Sequence, residues 1–571
     1  MKTLTLLSSL VILSTLFTAC GESTDTQEKY SQTALYIQDL ENENNISYGE
    51  IINTRGAYIT SMCYTETQDN VSGTISNPCY SCHTKGKTPN YYNDTNLQEN
   101  YNFPKDVMKN PFSNLFKDRT LAVSKITDSE ILEYIRESNY FDVDGNIILQ
   151  SLLPQDWQGY KPDCYYNFDA DGMDRKPNGE YTLWRAFRYY PFLGTFWPTN
   201  GSTDDVLIRL DEQFSQDENG TFDMAVYKLN LSIVESLVKH KDIELFIPVD
   251  ESLYGVDLNQ NDVLDLASKI VLSTYDKMSY VGKAKLSLAQ GGLHLAPGLF
   301  PEGTEFLHSV RYVDWDDAKN HIGMSKRMKE LRYAKKYAWS TYSDINRVAN
   351  TELKEALANG SDETFIALFR GDYEKGLDNQ ISWKYQGFIE DRSGELRPQT
   401  HEETIACMGC HSHLGATTDS IFSFARKLEG VDNSLHDFGW NHWTQKGLAG
   451  LSEPKVTYNS YGEEYEYSFY LNNNHSGNEF RNNSEVQEKF FDANATLRPD
   501  AITRLHSDIS ELLFPSKERA LGLNKGYKAM VEEQSYIYGR DANVAPMNNV
   551  LRDVEAGKMT QIANTIVRVS D

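Results

Sequence analysis

The sequence predicts a multidomain, mainly α-helical protein with some β structure. Its 571 residues exceed what one domain of about 100–200 residues needs, so several folded units are expected. Val226, Leu229, Ile233 and Leu237 recur at the spacing of one helix face, which favours a buried amphipathic helix. The Tyr- and Trp-containing segment 181–193 is typical of strands that pair.

The amino terminus has the features of a bacterial lipoprotein signal. Lys2 provides a positive start, residues 4–17 are apolar apart from Ser and Thr, and small residues precede Cys20. This apolar stretch is too short to span a bilayer, so residues 1–19 are predicted to be a signal peptide and Cys20 to be lipidated. Residues 20–34 then form a polar tether. Phe17 departs from the usual Leu, and the alternative is ordinary secretion with loss of Cys20.

Two Cys-x-x-Cys-His pentapeptides carry the strongest chemical signal, at residues 79–83 and 407–411. Two thiols three positions apart can reach two vinyl groups on one haem edge, and the following imidazole can bind the iron. The sequence therefore predicts two covalent haem c groups with proximal histidine ligands. The residues assigned to them are Cys79, Cys82, His83, Cys407, Cys410 and His411.

The motifs divide the chain into predicted domains. Residues 35–125 are expected to form a first haem c domain, and residues 126–285 a large central insertion. Residues 286–571 are expected to form a second haem c domain with a helical C-terminal part. Thr127 is suited to cap a helix that starts at Asp128.

A long helix is predicted from about Ser325 to Ala358, ended by Asn359 and Gly360. The default interpretation of its basic residues is a solvated helix face. The alternative is contact with haem propionates or with an acidic partner. The basic residues are Lys326, Arg327, Lys329, Arg332, Lys335 and Lys336.

The sixth position of each iron decides between electron transfer and catalysis, because a second protein ligand favours the former. His308 lies in a regular apolar pattern and is the first choice for the second haem. His442 and His506 are alternatives, and Met62 is a weak candidate for the first haem.

Cys63 and Cys164 remain once the haem cysteines and Cys20 are assigned. In an oxidising compartment an even remainder favours a disulfide between them. The alternative is two separate thiols.

Two acidic segments resemble calcium loops, because oxygen side chains at alternate positions around a tight turn can converge on a hard cation. Neither segment has the Glu at position twelve that is typical of an EF-hand, and solvated acidic turns are the alternative. The candidate ligands are Asn167, Asp169 and Asp171 in one segment and Asp257, Asn259, Asn261 and Asp265 in the other.

The formal net charge of −27 argues against nucleic acid as a partner and would suit a basic redox partner protein. Membrane attachment is expected through the lipid, since no other stretch is long and apolar enough to be a transmembrane helix.

In its signal region and its two haem motifs, with His83 and His411 as proximal ligands, the chain resembles a bacterial dihaem cytochrome c lipoprotein. The resemblance implies cytochrome c-type haem domains and respiratory electron transfer in the cell envelope, on the periplasmic side or the outer membrane. The alternative is a dihaem redox enzyme, similar to a peroxidase or an oxygenase, with one open haem coordination site.

Overall fold

The computed structural model describes residues 59–570 except 69–74, 104–106, 194–197, 274–276, 360–368, 430–437, 476–482 and residue 556. The predicted signal peptide, tether and lipidation site at Cys20 lie outside the described residues.

A ten-stranded antiparallel sheet forms the centre of the described structure. Its strands are β4 (Met173–Arg175), β5 (Tyr181–Phe187), β6 (Thr203–Asp204), β7 (Val206–Arg209), β10 (Glu305–Asp316), β11 (His321–Lys336), β12 (Arg370–Asp372), β13 (Gly376–Asp378), β14 (Trp383–Glu390) and β15 (Leu396–Pro398). They lie in the order β12-β13-β14-β11-β10-β7-β5-β4, with β15 paired to β14 and β6 to β10. The predicted mainly α fold is therefore wrong.

The described residues also form four small sheets. They consist of β1 (Thr67–Gln68) with β2 (Ile75–Ser76), β3 (Asn100–Tyr101) with β18 (Lys558–Met559), β8 (Ile243–Asp250) with β9 (Leu266–Ile270), and β16 (Lys455–Tyr458) with β17 (Gly462–Tyr465) and β19 (Arg568–Ser570).

The helices of the described residues are mostly short and lie outside the sheets. They are α1 (Thr120–Val123), α2 (Asp128–Arg136), α3 (Ile148–Leu152), α4 (Met224–Lys239), α5 (Lys283–Ala289), α6 (Tyr342–Asn359), α7 (His401–Ile405), α8 (Glu466–Asn474), α9 (Ser484–Phe490), α10 (Pro499–Ser507), α11 (Ser510–Leu513) and α12 (Lys517–Glu533).

Two predicted helices are confirmed. Thr127 caps α2 in a reciprocal arrangement with Glu130, which satisfies two backbone N–H groups at the helix start. Helix α4 buries the predicted apolar face, including Val226 and Leu237, in the largest core cluster. That cluster also contains Phe306 and Tyr385 of the large sheet.

The predicted helix from Ser325 is wrong in its first half. Residues up to Lys336 belong to β11, which pairs with β10 on one side and β14 on the other. Lys, Arg, Met and Glu favour helices weakly, and pairing on both edges overrides that preference. Two of the basic side chains are buried against acids: Arg327 lies 3.0 Å from Glu390 and Lys336 lies 2.5 Å from Asp419. Lys326 and Lys335 are exposed.

The predicted haem c domains do not form separate helical units in the described residues. The large sheet takes strands from both sides of the expected boundary at residues 285 and 286. The C-terminal segment returns to the first motif region, where β18 pairs with β3 and the N–H of Ile566 donates to Gln98 at 2.8 Å.

Five hairpin turns share one construction. In each, an Asp carboxylate accepts the N–H groups of the residues two and four positions later, and the residue between those two has positive φ. This local bonding fixes the shape of each turn. The turns begin at Asp142, Asp169, Asp217, Asp391 and Asp492.

Candidate functional site

The two pentapeptides fold into the same local turn. The carbonyl of Cys79 accepts the N–H groups of Cys82 at 3.2 Å and His83 at 2.8 Å. The carbonyl of Cys407 accepts those of Cys410 at 3.2 Å and His411 at 3.0 Å. Because the backbone repeats, the two thiols and the imidazole of each motif leave the chain in the same relative directions.

The sequence flanking each turn fixes where it starts. Asn77 accepts the N–H of Cys79 at 2.9 Å, which caps the first turn. The second turn follows α7, whose start is closed by a capping box between Thr400 and Glu403.

Each motif histidine has its Nδ1 engaged by an acceptor. Nδ1 of His83 lies 2.8 Å from Asp94, and Nδ1 of His411 lies 2.7 Å from the carbonyl of Ser420. An acceptor at Nδ1 orients the ring and leaves Nε2 as the ligand nitrogen, as is usual for metal-binding histidines. In both motifs Nε2 is therefore the ring nitrogen that is left for a further partner.

The two acceptors differ in charge. Burial alone would lower the pKa of His83, but hydrogen bonds to the Asp94 carboxylate and to Cys63 raise it to about 10. Burial lowers the pKa of His411 to about 4, since its partner is a neutral carbonyl. The two imidazoles therefore have different electrostatic surroundings although the two turns are alike.

The two motifs meet in space although they lie far apart in the sequence. The N–H of Ala416 donates to the carbonyl of Cys82 at 3.2 Å. Asn90 donates to the carbonyls of His413 and Leu414 at 3.3 and 3.0 Å. The ring of His413 stacks on Tyr92 with centroids 4.6 Å apart. The sequence alone gave no sign of this contact.

The second motif also packs on one face of the large sheet. The ring of His411 lies 4.7 Å from that of Tyr385 on β14, and Met408 is buried in the core that contains Tyr385. His308 and Arg332 are cross-strand partners on β10 and β11. Their charges contribute to the low pKa of His411, so both side chains lie beside the second motif.

The candidates for the sixth ligand fall in different places. His308 lies near His411, but its Nε2 is 3.2 Å from Asp204. His442 is buried with Nε2 at 2.8 Å from Asp205, and His506 stacks on Tyr465. Met62 packs in the cluster beside the first motif. Ligation by His308 stays a prediction.

The donor set fits covalent haem at both motifs. All four motif cysteines are free thiols, and burial raises the pKa of each. The thiols and both imidazoles nevertheless keep accessible surface. Two thiols and one partly accessible imidazole at each motif are the donor set that covalent haem c requires.

The predicted disulfide between Cys63 and Cys164 is wrong. Both residues are free thiols. Cys164 is fully buried in the core on the other face of the sheet, with Trp184 and Leu307. Burial would raise the pKa of the Cys63 thiol, but its interaction with His83 holds that pKa below the ordinary value. The even cysteine count could not reveal that the two thiols occupy different environments.

The calcium-like segment at Asn167–Asp171 is one of the five hairpin turns. Asp169 accepts backbone N–H groups at 3.0 and 3.1 Å and lies 3.2 Å from Arg175. Asp171 forms an ion pair with Lys228. These ion pairs favour the alternative, a solvated acidic turn, and calcium binding by this segment stays a prediction.

In the segment from Asp257 to Asp265, backbone and side-chain amides donate hydrogen bonds to the segment's own carboxylates. Asp257 accepts the N–H groups of Asn261 and Asp262 at 3.1 and 2.8 Å. The amides of Asn259 and Asn261 donate to Asp265 at 3.2 Å, so nitrogen rather than oxygen faces that carboxylate. Within the described ranges, no three His, Cys, Asp or Glu side chains form a group that could hold a metal ion.

A buried charge cluster beside the second motif was not predicted as a site. Glu330 lies 2.9 Å from both Arg332 and Arg540, and the two guanidinium groups oppose the effect of burial on the pKa of Cys407. Arg332 belongs to the run of basic residues between Lys326 and Lys336 that the sequence shows. No spacing pattern links Arg540 to the motif.

The comparisons with known proteins identify a lipoprotein family. The family model that matches residues 51–506 is described as a "-like lipoprotein". An uncharacterized lipoprotein of Aquifex aeolicus (strain VF5) is 32% identical over 517 residues, which cover 84% of this chain and 84% of that protein. The chain therefore belongs to this family of lipoproteins. No solved structure matches.

The lipoprotein assignment agrees with the predicted signal region. In the part of the chain that the structure describes, no helix combines the length and apolar character needed to cross a membrane.

Proposed function

We propose that this lipoprotein binds two haem c groups side by side and carries out electron transfer in respiration. The contact between the two pentapeptide segments is the observation that carries the proposal. The N–H of Ala416 bonds the carbonyl of Cys82 at 3.2 Å. If each motif only stabilised its own part of the fold, this contact between them would not be required. The arrangement supports neighbouring haem groups, and short separation favours transfer between them.

In this proposal Cys79 and Cys82 hold one haem by thioether bonds, and Cys407 and Cys410 hold the other. His83 and His411 are the proximal ligands, and His308 is the proposed sixth ligand at the second site. When bound, each iron supplies one-electron chemistry by cycling between ferrous and ferric states. Asp94 and Ser420 orient the two imidazoles.

The proposed location is the bacterial cell envelope, on the periplasmic side or the outer membrane. A lipid on Cys20 would hold the folded body at the membrane. With a net charge of −27, a basic redox protein is the proposed partner, because opposite charges speed encounter.

A second candidate is a redox enzyme with an open iron position at the second haem. Arg332 and Arg540 beside Cys407 favour it, since fixed positive groups at a metal site attract an anionic substrate. Carbon monoxide and cyanide separate the candidates: a carrier with two saturated irons gives almost unchanged spectra, whereas the enzyme shows one haem that binds these ligands.

The proposal is tested by counting covalent haem in purified protein with a pyridine haemochrome assay. The full chain should carry two, and Cys82→Ala and Cys410→Ala should each carry one. Reduced protein should then pass its electrons to a basic soluble cytochrome more slowly as salt rises. Haem that is extracted by acid acetone, or a count of one in the full chain, would contradict the proposal.

A further inference from the structure

The hairpin of β8 and β9 exposes a concentration of apolar side chains. Among the described residues, fifteen large apolar or aromatic side chains are exposed, and six of them lie in the single stretch from Phe246 to Leu266. Apolar side chains exposed singly are normal, whereas a group of them marks an interaction surface. The six side chains are Phe246, Ile247, Leu253, Val263, Leu264 and Leu266.

The hairpin is attached to the rest of the molecule through other side chains. Ile243, Ala267 and Ile270 are buried. Ala267 and Ile270 belong to the core cluster that also contains Met408 of the second motif. The core is therefore complete without the six exposed side chains, and these are left for contact with another molecule.

A bulge in β8 turns two of the six side chains toward solvent. Five residue steps along β8, from Glu244 to Val249, correspond to only two steps along β9. Phe246 and Ile247 lie in this bulge, and they are 43% and 67% exposed. Bulges change the direction of side chains and end regular pairing, so the apolar residues here are presented outward by the backbone itself.

Glu251 shapes the connection between the two strands. Its buried carboxylate accepts the N–H groups of Leu258 at 2.6 Å, Asn259 at 3.0 Å and Asp265 at 3.0 Å. The segment that carries Val263 is thus closed by internal hydrogen bonds before any partner arrives. A surface that is already formed loses less conformational entropy on binding.

Acidic side chains are interspersed with the apolar ones. Residues 243–270 contain six acidic residues and one basic residue. The basic residue, Lys269, forms an ion pair with Asp242 at 3.1 Å, whereas Glu244, Asp250 and Asp262 are exposed. Apolar contacts within a charged rim are the usual anatomy of a protein interface. The negative charge disfavours anionic lipid and is complementary to a basic protein.

We propose that the β8–β9 hairpin is the docking surface for a basic protein whose apolar contact residues are surrounded by Lys or Arg. The inference rests on the proposed function in one respect, because that function makes the basic protein a redox partner. Opposite charges speed the encounter, and the exposed apolar side chains then slow dissociation. Weak complexes of this kind need only a small interface.

Binding of a small basic cytochrome c to the full-length protein in detergent micelles tests the surface. Isothermal titration calorimetry should give an affinity that falls as salt rises. Ile247→Ser combined with Leu266→Ser should weaken binding about tenfold, the effect of losing well-placed interface contacts. Glu244→Lys combined with Asp262→Lys should weaken binding at low salt and reduce its salt dependence.

The turn at Asp142 offers a matched control, because Val143 and Asp144 are exposed there. Val143→Ser and Asp144→Lys repeat the same two kinds of substitution away from the hairpin. Both should leave the affinity for the cytochrome unchanged.

The outcomes separate this inference from its alternatives and from the proposed function. No binding at low salt, or unchanged affinity in both hairpin variants, would overturn the docking surface. It would also be overturned if the hairpin variants lost only binding to phosphatidylcholine vesicles, or only self-association in analytical ultracentrifugation. A protein without covalent haem that still binds the cytochrome through the hairpin would uphold the docking surface and overturn the proposed electron transfer.

Discussion

Gly415→Ala should force the two motif segments apart. A Cβ at residue 415 would lie 1.7 Å from the carbonyl oxygen of Thr84, whereas real Cβ atoms essentially never come within 3.0 Å of such an atom. The segments must therefore separate by more than 1 Å, which breaks the 3.2 Å bond between Ala416 and Cys82. Overpacking costs about 1–3 kcal/mol and a lost hydrogen bond about 0.5–1.5 kcal/mol, so the expected destabilisation is about 2–4 kcal/mol.

Urea unfolding followed by tryptophan fluorescence measures this change. The matched control is Gly447→Ala, because a Cβ there meets nothing within 4 Å and the midpoint should stay where it is. An unchanged midpoint in Gly415→Ala would refute the packing of the second motif against the first.

Further predictions concern ligand tuning, pH, metal and anchoring. Asp94→Asn removes the charge behind His83 and should raise the potential of the first haem in a redox titration, while the second haem stays unchanged. Burial raises the pKa of Glu453 to about 7 from 4.5, so its stabilising contribution is complete below about pH 4.5 and is lost as pH rises through about 7. Relative to Glu453→Gln, the protein should therefore lose about 3 kcal/mol of stability between those pH values, and parallel pH profiles would contradict this. EDTA should leave the melting temperature unchanged, because Arg175 and Lys228 form ion pairs with Asp169 and Asp171. A clear drop in the melting temperature would contradict this prediction. Cys20→Ala should move the protein from the membrane fraction to the soluble exported fraction, and unchanged fractionation would argue against lipidation there.

Local signals predicted two of the helices well. Thr127 and the apolar spacing from Val226 to Leu237 act over a few residues, and the structure has α2 and α4 at those places. The pentapeptides form the same turn because that turn is bonded within five residues. Such features depend on neighbouring residues, so a sequence pattern is sufficient to find them.

Long-range pairing accounts for the errors. The composition of residues 325–336 favours a helix, yet pairing with Phe306 and Tyr385 on the adjacent strands makes it a buried strand. Asp94, Ser420 and Arg540 approach the motifs through packing, and no fixed spacing marks them. The disulfide failed for the same reason, because an even number of cysteines contains no information about their separation.

Magnetic resonance of the oxidised protein shows whether the two motifs hold neighbouring haem groups, as proposed. Spectra are recorded for the full chain and for Cys82→Ala and Cys410→Ala, each of which retains one haem. The account predicts that the spectrum of the full chain differs from the sum of the two single-haem spectra, because adjacent paramagnetic irons couple. A spectrum equal to that sum would show that the irons are isolated and would contradict the account.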